Sequence, residues 1–138
     1  MSRLVVLDTN IVVSAAIRID GPPGQLVERA LSEDVILVTC PSIVAEYREV
    51  VARPKLARLG LPPLWMDALL WLAHHQTREP APWFKAGPDP DDLVFLALAK
   101  ATGAILVTGN LRHYPPAIRL GVHVMTPVAY LAAHPLPT

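Results

Sequence analysis

Four short aliphatic runs, separated by stretches of helical periodicity, constrain this chain more than anything else in it. They are 3–7, 35–39, 104–108 and 122–124, and polar or turn residues cut each one off sharply. The apolar centres of the runs at 3–7, 35–39 and 104–108 do not alternate, which predicts strands covered on both faces, and 122–124 reads as a short last strand. Between them lie helical patterns. A short one follows Asp8 over 11–16, and Pro22-Pro23 opens one carrying Leu26, Val27, Ala30 and Leu31. Pro41 starts another, with Ile43, Val44, Tyr47, Val50 and Val51 on one arc. A short basic helix is expected over 54–59, a longer one over 64–74 closed by His74 and His75, and a last one over 127–132. Residues 77–84 read as an extended segment. Strands alternating with helices predict a mostly parallel sheet between two helical layers, a three-layer α/β/α sandwich.

Composition agrees with that architecture and narrows the chemistry. A hydrophobic fraction of 52% over 138 residues suits one domain with a sheet buried on both faces. Part of the excess is also what an apolar surface covered by a second copy would show. The net charge of zero supplies no overall attraction to nucleic acid, so any such binding needs a local basic patch. The densest basic stretch is Arg48, Arg53, Lys55 and Arg58, which suits either a phosphate backbone or a solvated helix face. The single Cys40 excludes an internal disulfide and fits a reducing compartment. No apolar stretch reaches the ~18 residues of a membrane span. Asp8 interrupts the first apolar run too early for a signal core, so a cytoplasmic location without membrane attachment is the expectation. No Cys or His spacing fits a zinc site.

The candidate chemistry lies in the acids at the ends of these segments. Open α/β sheets bind ligands beyond the carboxyl ends of their strands, and side chains gathered there can converge. Asp8 ends the first strand; its structural alternative is to cap the next helix, although Thr9 and Asn10 are equally good caps. Glu46 falls at the edge of the apolar arc of its helix, where it can lean over the sheet or pair with Arg48 or Arg53. Asp89-Pro90-Asp91-Asp92 opens an apolar helix stopped by Gly103. Asp89 suits the cap and Asp91 the dipole, whereas Asp92 projects with Phe95, Leu96 and Ala99 and is least explained by helix electrostatics. Thr108-Gly109-Asn110 ends a further strand, so Asn110 can position or bind through a neutral oxygen, and His113 beyond it can touch phosphate. Carboxylates crowded on one rim call for a cation, and oxygen donors suit Mg²⁺ or Mn²⁺.

This ordered set resembles the PIN-domain family: LDTN after the first strand, a mid-chain Glu in a helix, DPDDLVFLALAKATGA, then ILVTGN with LRHYP. The similarity runs from Leu4 to about Leu131 and is greatest to the toxin components of prokaryotic type II toxin–antitoxin systems. It implies a PIN domain over 1–133 with a flexible tail over 134–138. It also implies a Mg²⁺- or Mn²⁺-dependent ribonuclease whose metal-binding and catalytic acids are Asp8, Glu46 and Asp92. Thr9, Asn10, Thr108, Asn110, His113 and Arg53 become the candidate substrate contacts. An RNA substrate, a cognate antitoxin and a homodimer are the implied partners. The family often carries a further Asp in the segment matching 108–114, where this chain offers only Asn110 and His113.

Two rival readings stay open. A phospho-acceptor domain would use Asp8 as nucleophile, but that chemistry wants a second acid within two residues and a lysine ending a late strand, and neither occurs. A non-catalytic RNA- or protein-binding module would keep the fold with a degenerate site.

Overall fold

The computed structural model describes residues 3–58 and 63–136. All five strands are parallel: β1 (Leu4–Leu7), β2 (Ile36–Thr39), β3 (His74–His75), β4 (Ile105–Val107) and β5 (Val124–Met125). They lie in the order β3-β2-β1-β4-β5, so the winding reverses at β1 and the crevice between β1 and β4 is the topological switch point. Val5, Val6 and Leu7 of β1 and Leu106 and Val107 of β4 are fully buried, as strands covered on both faces must be.

Between β1 and β2 come α1 (Thr9–Ile17) and α2 (Pro22–Leu31). Between β2 and β3 come α3 (Pro41–Val51), α4 (Pro54–Ala57) and α5 (Trp65–Leu72). A 3₁₀ turn over Pro90–Asp92 leads into α6 (Leu93–Thr102), which packs on β1, β2 and β4. The connection from β3 back to β4 runs along the sheet in the opposite sense to the earlier ones. Right-handed crossovers therefore place α6 on the other face, completing the sandwich. After β4, a 3₁₀ turn at Leu111–His113 and α7 (Pro116–Arg119) return the chain to β5, and α8 (Pro127–Ala133) closes it against α2. No helix among the described residues is long and apolar enough to cross a membrane.

Several expectations need correction. His74 and His75 do not close a helix: α5 ends at Leu72, and the two histidines pair as a strand with Val38 and Thr39. Pairing there satisfies backbone groups on the outer side of β2, with Gln76 N–H adding a 2.8 Å bond to Thr39 O. His75 is held by the Thr39 hydroxyl at one ring nitrogen and by Leu70 O at the other. Residues 77–84 form no strand. The acidic opening of α6 is a separate 3₁₀ turn rather than its first α-helical turn, while Gly103 stops the helix at φ 73° as its lack of a side chain allows. α4 spans Pro54–Ala57, and the rest of the expected 54–59 helix, at Leu59, lies outside the described residues, as does Pro62.

Candidate active site

Asp8 stands one residue beyond β1, at the switch point, and is only 4% exposed. It does not cap α1: its side chain makes no capping bond, and Ile11 N–H instead bonds Asp8 O at 2.9 Å. Thr9 and Asn10 are not caps either, since both are helical. The Asp8 carboxylate turns to β4 and the loop after it. Its Oδ2 accepts from the Thr108 hydroxyl at 2.9 Å and the Tyr114 hydroxyl at 2.8 Å. Among the described residues Oδ1 accepts nothing, yet no fully buried polar side-chain atom lacks a partner. Oδ1 is therefore not fully buried.

Thr9 and Asn10 divide the surrounding work. The Thr9 hydroxyl donates to Glu46 Oε2, drawing the α3 acid toward the end of β1. Asn10 accepts from Gly109 N–H at 3.0 Å and donates to Thr108 Oγ1 at 3.5 Å, tying α1 to the end of β4. Beneath them Tyr47, fully buried, donates its hydroxyl to Leu7 O. Burial pushes the Tyr47 hydroxyl well up, and the charges of Asp8 and Glu46 push it the same way. Tyr114 responds likewise: burial first, then Asp8, Asp92 and Glu46, raise its pKa far above the tyrosine range. These two tyrosines sense the carboxylates from beneath, so the acids that lie far apart in sequence share one electrostatic environment.

Asp92 approaches from the 3₁₀ turn before α6, with its side chain 13% exposed. Asp91 beside it is exposed, as the face assignment predicts. Asp89 Oδ1 accepts from Asp91 N–H at 3.0 Å, which confirms its capping role. Asp92 Oδ2 meets His113 Nδ1 at 2.6 Å. Its carboxyl is pushed up to about 6, first by burial, then by the Asp8 and Asp89 charges, against a lowering by His113. Ligand atoms of Asp89, Asp92 and His113 all lie within 4.8 Å of one another. The tightest donor group thus includes Asp89, to which the sequence assigned only a cap, and His113, to which it assigned phosphate contact.

No Lys or Arg among the described residues forms an ion pair with Asp8, Glu46 or Asp92. Arg48 and Arg53, the alternative partners for Glu46, are engaged on the surface by Asp67 and Glu49. Arg53 stands two residues past the end of α3 with extended backbone, away from the turn of the helix that carries Glu46. Asn110 gives its backbone N–H to Thr108 Oγ1 at 3.0 Å. Sequence reasoning missed Tyr47 and Tyr114 as parts of the site. Tyr114 had one signal, its place directly after His113 in the loop beyond a strand end.

A buried carboxylate with only hydroxyl donors, a second whose pKa its surroundings push up, and an imidazole alongside form a donor set suited to a divalent cation. Fold and site together define a nuclease-like α/β domain with acids at the switch point. The model of the PIN domain family matches residues 4–112, and the chain belongs to that family. It is also 32% identical over 108 residues to an uncharacterized protein of Methanocaldococcus jannaschii, covering 77% of this chain and 70% of that one. PIN domains are generally nucleases and bind divalent metals.

Proposed function

We propose that this protein is a Mg²⁺- or Mn²⁺-dependent endoribonuclease that hydrolyses RNA phosphodiester bonds. The observation that carries the reading is Asp8: a carboxylate more than nine-tenths buried, fixed through Oδ2, with Oδ1 left without a donor and no Lys or Arg ion-paired with it among the described residues. Burying such a charge is costly without a compensating cation. Asp8 and Asp92 would hold the metal, with Glu46 a ligand through water or the group that orients the attacking one. Bound there, a divalent ion supplies a water of lowered pKa and stabilises charge building on phosphorus.

The protein's own residues prepare that chemistry. Thr108 and Tyr114 lock the Asp8 carboxylate in one orientation before substrate arrives, and Thr9 does the same for Glu46. Asn110 would meet phosphate at the end of β4, and Arg53 and Lys55 would give an outer basic approach. No Ser or Cys is needed as nucleophile; Cys40 is buried and its thiol is pushed up by that burial, the opposite of an activated one.

The family resemblance extends the reading to a cytoplasmic toxin of a type II toxin–antitoxin pair, acting as a homodimer. A cognate antitoxin would inhibit it by inserting a side chain among the acids or covering the basic approach. Exposed Leu64 and Trp71, 100% and 87% accessible beside α5, support the self-association.

Incubation of structured and unstructured RNAs with Mg²⁺, Mn²⁺ or EDTA tests the activity. Cleavage should require the metal and fall by about 10²–10³ in Asp8→Asn, the range for losing one group that stabilises transition-state charge. RNA bound but uncut, with affinity indifferent to Asp8→Asn, would instead establish a binding module with a degenerate site.

A further inference from the structure

We propose that His113 is a direct nitrogen ligand of the metal, and that it turns this site's preference from Mg²⁺ toward a first-row transition ion such as Mn²⁺. The inference rests on the metal-dependent reading above and concerns the donor set.

Three observations carry it. His113 Nδ1 is hydrogen-bonded to Asp92 Oδ2 at 2.6 Å, and one ligand atom from each of Asp89, Asp92 and His113 falls within 4.8 Å of the other two. Asp8 supplies a further, nine-tenths buried carboxylate whose Oδ2 is held by Thr108 and Tyr114 and whose Oδ1 accepts no hydrogen bond among the described residues. The Asn110 backbone N–H bonds Thr108 Oγ1 at 3.0 Å, fixing the start of the turn that carries His113.

The local fold explains why His113 completes the donor group. The 3₁₀ turn at Leu111–His113 is closed by His113 N–H to Asn110 O at 3.2 Å, and the next residue, Tyr114, is buried and anchored on Asp8. The imidazole is thereby held above the acids, with its side chain 37% exposed against 13% for Asp92. A swinging loop histidine would lack both restraints.

Donor chemistry then sets the preference. Mg²⁺ holds oxygen ligands and retains several waters, so an imidazole in its coordination sphere gains it little. Imidazole suits first-row transition ions, and although Mn²⁺ stands lowest in their order of affinity and also accepts all-oxygen sites, it gains more from a nitrogen donor than Mg²⁺ does. Carboxylates plus one imidazole therefore favour such an ion where an all-oxygen set would leave Mg²⁺ competitive. A histidine that only steadied Asp92 through a hydrogen bond would leave the order of metals unchanged.

Mn²⁺ is both the ion and the spectroscopic probe. Metal-free wild type, His113→Ala, His113→Gln and Asp92→Asn would be titrated with Mn²⁺ and with Mg²⁺, and pulsed electron paramagnetic resonance recorded on the Mn²⁺-loaded protein. Circular dichroism melts would confirm that each variant folds. The expected result is a ¹⁴N modulation in wild type that becomes a ¹⁵N signal on ¹⁵N-histidine labelling and disappears in both His113 variants. Mn²⁺ affinity should fall at least ~10-fold in them, since even an outer-shell partner of a ligand costs that much, while Mg²⁺ affinity stays level. If wild type binds Mn²⁺ and Asp92→Asn weakens it, but no ¹⁴N signal appears or the signal survives in His113→Ala, His113 is no ligand and the metal reading stands without it. If Mn²⁺ does not bind, or binding ignores Asp92→Asn, the metal reading falls and this inference with it.

Discussion

Tyr114 donates its hydroxyl to Asp8 Oδ2 at 2.8 Å, joining residues 106 positions apart across the switch point of the sheet. Together with Thr108, it uses one oxygen of the carboxylate and leaves the other without a donor among the described residues. The hydroxyl is kept protonated by burial and by the acids around it, so toward the Asp8 carboxylate it acts as the donor.

Tyr114→Phe should therefore separate orientation from ligation. The ring still fills its buried slot, but Asp8 loses one of two donors. Chemical denaturation should show a loss of about 2 kcal/mol, the scale for a hydrogen bond to a charged group. Metal titration should show affinity lower by ~10–100-fold, as for other partners that orient a ligand. Unchanged metal affinity would mean that Tyr114 serves only the core.

Asp92 sets a pH dependence whose sign is unusual for a carboxylate. Its folded pKa is raised from 3.8 to about 6, so the folded state binds a proton more tightly than the unfolded chain does. That contribution is fully present below about pH 4 and is lost as pH rises through 6. The difference amounts to about 3 kcal/mol as an upper figure. In EDTA, melting temperature should fall across this window in wild type and fall less in Asp92→Asn, making the variant the more stable protein at pH 7. A divalent ion should reverse the order. Identical pH profiles for the two would refute the assignment.

Tyr47 supports the floor of the site through its bond to Leu7 O, at the last residue of β1. Tyr47→Phe leaves that buried carbonyl short of a partner, at a cost of about 1–3 kcal/mol. Urea denaturation should report this loss with an unchanged dependence on urea concentration, since the fold itself persists. Because Leu7 precedes Asp8, cleavage should also slow; a destabilised variant with full activity would confine Tyr47 to a structural part.

Association is checked at Trp71, 87% exposed on α5 above a cleft of about 690 Å³ lined by Pro41, Val44, Arg48 and Leu70. The proposed dimer should be evident by sizing at micromolar concentration and bury at least ~1,000 Å². Trp71→Glu should weaken it by at least ~2 kcal/mol, the threshold for an interface hot spot, which is about 30-fold in Kd. A wild-type monomer at those concentrations would end the dimer proposal.

The sequence alone determined what short-range pattern can determine. Aliphatic runs and intervening helical periodicity gave the layers and the parallel sheet, because strand and helix periods are local properties of the chain. Local pattern also brought in Asp8, as a polar residue directly after a buried strand, Glu46, at the edge of its helix's apolar arc, and Asp92, on the sheet-facing side of an acidic helix start. Tertiary structure alone decided which acids and hydroxyls meet. The 3₁₀ turn at Pro90–Asp92 joins Asp89 and Asp92 to His113, and the turn after β4 carries Tyr114 back onto Asp8. It also made His74 and His75 a strand, because the outer side of β2 left backbone groups to satisfy. Such contacts depend on chain segments that only the closed sheet brings together, and no local spacing records them.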